Sequence, residues 1–146
     1  RMIVNRSQLA TVYQAWTLSG NPVAMTAGLK TLELITAPRF HDSLFAQTEK
    51  FIKGLQEEAN KANIPMTTNH IGSMFGFFFT QEVAVTNYKQ VMACDSERFG
   101  RFYRGMLDAG VYFAPAAYEG CFMSAAHTNE DIEFTLEAAS KVFKTL

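Results

Sequence analysis

The sequence predicts an α+β fold, in which helices pack on a small, mainly antiparallel sheet. Three observations lead there. Apolar residues recur at helical spacing in several separate stretches. The run Met74–Thr80, MFGFFFT, is too short for a domain helix before the next breaker and is rich in β-forming aromatics. A hydrophobic content of 48%, with 13 Phe in 146 residues, gives one domain an ample core.

The elements follow in order. Residues 1–12 form a lead segment without clean periodicity, and the domain proper occupies 13–146. Asn21 opens the first helix, whose apolar positions run through Val23, Met25, Leu29, Leu32 and Leu34 until Pro38 closes it. A longer helix covers Phe40–Asn60. Leu44, Phe51, Ile52 and Leu55 mark its apolar stripe, and Glu49, Lys50, Lys53 and Glu57 its solvated face. The Met and Phe positions of both helices are expected in the core. Asn63-Ile64-Pro65 turns the chain into a strand at Met66–Asn69. After the break at Gly72-Ser73, the second strand is Met74–Thr80. Its near-continuous apolarity suggests burial on both faces, and Gly76 a bulge or a close backbone approach. Asp95 caps a helix with its apolar stripe at Phe99, Phe102, Tyr103, Met106 and Leu107, stopped by Gly110. Short strands are expected at Val111–Phe113 and Phe122–Ala125. Thr128, with Asp131 three residues on, resembles a capping box and starts the last helix.

Several function classes lose support. A net charge of −1 gives no electrostatic reason to expect nucleic acid or an anionic membrane as partner. No apolar run approaches the roughly 20 residues of a membrane span, and RMIVNRSQLA lacks the core of a secretory signal. Cys94 and Cys121 stand alone, without metal-type spacing. They read as free thiols in a reducing, cytoplasmic compartment. His41, His70 and His127 show no ligand spacing, so no metal site is expected. Arg98, Arg101 and Arg104 share one helix side and read as a solvated face, with an acidic partner as the alternative. The chain has no phosphate-binding Gly-rich loop and no nucleophile elbow.

Two places can carry chemistry. In Tyr13–Met25, YQAWTLSGNPVAM, the hydroxyls of Thr17 and Ser19, the flexible Gly20 and Pro22 at a helix start form the build of an anion site. An ordinary turn and a capped helix account for the same residues. Glu119, in AAYEG, puts a carboxylate on a loop where it can orient an amine or move a proton. An exposed loop acid is the plainer reading.

TLSGNPVAM, NHIGSMFGFFFT, VMACDSERFGRFYRGMLDAGVYFAPAAYE and AAHTNEDI, in that order, resemble the C-terminal part of the glutamate-1-semialdehyde 2,1-aminomutases. These are pyridoxal-phosphate enzymes of the class III aminotransferase type with fold-type I architecture. The resemblance covers nearly all of Tyr13–Leu146, and the MFGFFFT and MACD blocks carry its specificity. It implies isomerisation of glutamate-1-semialdehyde to 5-aminolevulinate in tetrapyrrole synthesis, by a homodimer. It implies that Thr17 binds the cofactor phosphate across the subunit boundary and that Glu119 lies near cofactor and substrate. At Trp16 the family is expected to have Gly, and an indole there fills space the phosphate approaches. No lysine lies in a context resembling the family's Schiff-base motif, which belongs upstream of the matched part. The chain therefore reads as a C-terminal domain lacking its large partner domain, catalytically inert and without cofactor when isolated. The alternative is a stand-alone α+β module that self-associates without enzymatic activity.

Overall fold

The computed structural model describes residues 17, 18 and 20–146, in two units divided between Phe40 and His41. The lead segment, Trp16 and Ser19 lie outside the described residues.

In the first unit, a turn brings the Asn21 N–H to the Leu18 carbonyl at 3.0 Å, with Gly20 at φ +74°. That left-handed φ suits glycine. Helix α1 then runs Pro22–Ile35. Asn21 caps it, its Oδ1 accepting from the N–H groups of Val23 and Ala24 at 3.0 and 3.2 Å. Pro22, with no N–H, fits the first helical position. The helix forms where the apolar spacing predicts it. The core expectation for it fails, because α1 has no buried residue and Met25 is exposed.

The second unit starts on α2, Phe40–Lys61, which buries Leu44, Thr48, Phe51, Ile52, Leu55 and Ala59. The Thr48 hydroxyl, fully buried, donates to the Leu44 carbonyl at 2.8 Å. Phe45, expected in the core, is exposed and lies against Gly72. Asn63 adopts φ +57° just past the helix, where Asn tolerates the left-handed region. Strands β1, Thr67–Ile71, and β2, Met74–Phe78, form an antiparallel hairpin with Thr67 opposite Phe78 and Ile71 opposite Met74. Short helix α3 spans Tyr88–Met92 and α4 Ser96–Asp108. Strand β3 is only Cys121–Phe122, antiparallel to β2. Helix α5, Asn129–Phe143, closes the chain.

Three local expectations are corrected. Met74–Phe78 alternates between exposed or half-buried and buried residues, so it is buried on one face only: the helices cover one side of the sheet. Gly76 sits in unbroken register opposite Asn69, without a bulge. Val111–Phe113 forms no strand. Its Val111 N–H is taken by the Met106 carbonyl at 2.8 Å, a helix-end bond that ties the segment to α4, while Phe113 is buried in the core.

That core is largely aromatic. The Phe77 ring has Phe79, Phe99, Phe102 and Phe113 within 5.4–6.3 Å between centroids. Phe102 stacks on Phe143 at 4.9 Å. Burial of these rings supplies much of the drive that holds α4, α5 and the sheet together.

Candidate functional site

Thr17 lies on the exposed turn before α1. The helix start on which the expected anion site relies uses its own donors. Of the first-turn positions, Pro22 has no N–H, Val23 and Ala24 donate to Asn21 Oδ1, and Met25 donates to the Asn21 carbonyl at 2.9 Å. The helix start is thus saturated by its own cap. At this turn the helix dipole adds field, while the first turn of α1 leaves no free N–H donor.

Glu119 stands on the turn between α4 and β3. Its N–H bonds the Ala116 carbonyl at 3.2 Å, and its side chain is exposed. Two hollows meet at this turn. The larger, about 420 Å³, is walled by Phe51, Phe75, Phe113, Cys121, His127 and Asp131 besides Glu119. The smaller, about 310 Å³, lies over the outer side of the sheet and is lined by Asn69, Met74, Gly76, Phe78 and Tyr118, again with Glu119. No lysine or arginine lines either hollow. The sequence points to Glu119 and marks Cys121 only as a free thiol; it does not point to Asn69 or Met74. Their convergence follows from the β1–β2–β3 register, for which a lone strand of two residues leaves almost no sequence signal.

His127 is held by the knot that starts α5. Its Nδ1 accepts from the Ser124 N–H at 2.9 Å, so the ring hydrogen of the neutral form sits on Nε2. Thr128 and Asp131 complete the capping box: Asp131 Oδ2 accepts from the Thr128 N–H at 2.7 Å, and Thr128 Oγ1 from the Asp131 N–H at 3.2 Å. The hydrogen bond from the Thr128 backbone holds the Asp131 carboxyl below the usual Asp value.

The remaining candidates stay apart. His70 is exposed on β1, and His41 lies near the Phe45 ring at 5.7 Å. Among the described residues no three His, Cys, Asp or Glu side chains could hold a metal ion. Cys94 and Cys121 are free and half-buried, and burial is the main cause pushing both thiols up. Arg101 and Arg104 are exposed, and Arg98 sits 3.7 Å from Asp95 Oδ2. No helix of the described residues is long and apolar enough to cross a membrane.

The architecture is that of transaminase structures. It matches an omega-transaminase from Sphaerobacter thermophilus with a TM-score of 0.72 at 20% identity, over 90% of this chain and 30% of that one. The pyridoxal-phosphate internal-aldimine form of the FumI protein of Sphingopyxis sp. MTA144 gives 0.67 at 27% identity, over 84% of this chain and 27% of that one. The class-III aminotransferase profile matches residues 3–143, and the chain belongs to that family. A glutamate-1-semialdehyde 2,1-aminomutase from Delftia acidovorans is 54% identical over 140 residues, which are 96% of this chain and 32% of that protein. The chain therefore spans about a third of its relative's length.

Pyridoxal phosphate requires a lysine amine for its aldimine and several donors for its phosphate. The described residues do not make such a site by themselves. Neither hollow presents a lysine, and the start of α1 offers one hydroxyl beside a saturated cap.

Proposed function

We propose that this chain is the C-terminal part of a glutamate-1-semialdehyde 2,1-aminomutase, a protein converting glutamate-1-semialdehyde to 5-aminolevulinate for tetrapyrrole synthesis. The observation that carries the reading is the 54% identity to the D. acidovorans aminomutase over almost the whole chain. In this reading Thr17 contributes a hydroxyl to the cofactor phosphate of a partner subunit in a cytoplasmic homodimer. Glu119, on the partition between the hollows, stands near substrate and orients its amine. The reactive lysine comes from polypeptide outside this chain, so the isolated chain is inert.

The test is a chimera in which this chain replaces the matching part of the D. acidovorans enzyme. It is expected to form 5-aminolevulinate, and a folded chimera without turnover overturns the reading. In the chimera Thr17→Val raises the cofactor concentration needed for half-activity, whereas Glu119→Gln lowers turnover.

A second reading, a self-associating module without activity, is favoured by the exposed apolar side chains of α1, Val23 and Leu29 among them. It requires the free chain to dimerise in a sedimentation concentration series. A monomer throughout excludes it.

A further inference from the structure

The segment between β3 and α5 is short, and nearly every N–H in it has a partner. The Met123 N–H donates to the Ser73 carbonyl at 2.9 Å, beside the turn between β1 and β2. The Ser124 N–H donates to His127 Nδ1 at 2.9 Å, and the His127 N–H returns to the Ser124 carbonyl at 3.1 Å. The Ala126 N–H bonds Ser124 Oγ at 3.2 Å, and the Thr128 N–H bonds the Asp131 carboxylate at 2.7 Å. The imidazole is thus the acceptor that ties the end of β3 to the start of α5. At the other end of that strand, just before it, stands Glu119. The Ala114 backbone hydrogen-bonds the Cys121 thiol, so the turn carrying Glu119 is closed at its base by the first residue of β3. A strand with only two residues paired to β2 lies where the bonds at its ends hold it.

A neutral imidazole with its hydrogen on Nε2 accepts at Nδ1, whereas an imidazolium carries hydrogens on both nitrogens and accepts at neither. Protonation therefore turns the Ser124–His127 bond into two donors facing each other. Glu119 and His127 line the same hollow of about 420 Å³, as do Tyr112 from the segment after α4, Cys121 from β3 and Asp131 from α5. Asp131 interacts electrostatically with the His127 ring. From α2, Lys50 reaches the start of α5, where it donates to Asn129 Oδ1 at 3.1 Å. Of the side-chain types in this hollow, imidazole is the one that ordinarily changes charge between about pH 5 and 8. The carboxylates attract a protonated ring, and the Ser124 N–H opposes it.

We propose that His127 is a positioning residue for Glu119: neutral, it fixes β3 and the turn before it through the Ser124 N–H; protonated, it releases them. The proposal rests on the aminomutase reading, in which Glu119 stands near substrate, and gives that site a support controlled by one proton.

Nitrogen-15 NMR of the free chain reads the tie directly. The neutral ring is expected to carry its hydrogen on Nε2, and the amide signals of Ser124 and Glu119 to move together with the titration of His127. In His127→Asn the side-chain oxygen replaces Nδ1 as an acceptor that takes no proton, and both signals are expected to stay still over the same range. A ring hydrogen on Nδ1, or a Glu119 signal that ignores the His127 midpoint or still moves in His127→Asn, overturns the proposal. In the chimera with the D. acidovorans enzyme, kcat is expected to fall several-fold as pH drops through that midpoint, with KM little changed. His127→Asn removes this fall, and His127→Phe, which has no acceptor, lowers kcat roughly tenfold or more at every pH. If the His127→Asn chimera keeps the same fall, or the His127→Phe chimera keeps its kcat, the support of Glu119 is overturned while the aminomutase reading stands. A folded chimera without turnover, whose Glu119 signal still follows His127, overturns that reading and supports the positioning.

Discussion

A Cβ built on Gly105 falls 2.8 Å from Cγ1 of Val142 and 3.1 Å from its Cγ2. Val142 is buried and β-branched, so it has little room to turn away. Gly105→Ala is expected to cost about 1–3 kcal/mol, the usual penalty of overpacking, as a lower midpoint in urea. Gly28 provides the contrast, since nothing lies within 4 Å of its added Cβ. Gly28→Ala in the exposed helix α1 is expected to stabilise by at most about 1 kcal/mol, through propensity alone. Phe102, fully buried and stacked on Phe143, is expected to lose about 3–5 kcal/mol on replacement by Ala. The sequence showed Phe102 as a stripe position. It could not show why residue 105 must be small, because the constraint comes from another helix.

Among the elements, α5 has the most explicit start signal, and its capping box forms as the residues predict. Asp131 is held below its ordinary value of 3.8, first by the bond from the Thr128 backbone. A carboxylate depressed in the folded state contributes stability that is complete above the unfolded value and lost as pH falls through the folded one. Thermal melts of the chain and of Asp131→Asn are therefore expected to differ at neutral pH and to converge below pH 3.8. A constant difference down the acid range would assign the effect of the substitution to packing. Helices α1, α4 and α5 were legible because each carries a cap and a period of apolar residues; the period alone marked α2, and the five-residue α3 was not foreseen. The short strands were less legible. Val111–Phe113 has the composition of a strand, yet the end of α4 captures its first N–H. Met74–Phe78 looks doubly buried because aromatics occupy positions on both faces, while the helices cover only one.

At the scale of the whole molecule, many large apolar side chains among the described residues stay exposed. Leu29, Leu32 and Leu34 of α1 are each more than half exposed, and a helix this apolar ordinarily sits inside a larger body. Length and composition could not reveal this, since they count apolar residues without saying which ones find partners. Glu119 was legible as a loop carboxylate, but its place between two hollows was not, because that depends on residues from several elements. At this scale the isolated chain is expected to show no 5-aminolevulinate formation with added pyridoxal phosphate, and no aldimine absorbance. Turnover above background would mean that a complete site assembles from this polypeptide.

The turn that carries Glu119 and Gly120 is a shared wall. Any shift of that turn changes the lining of both hollows. A bulky residue in place of Gly120, which faces the Met74 sulfur, would therefore alter both chambers at once.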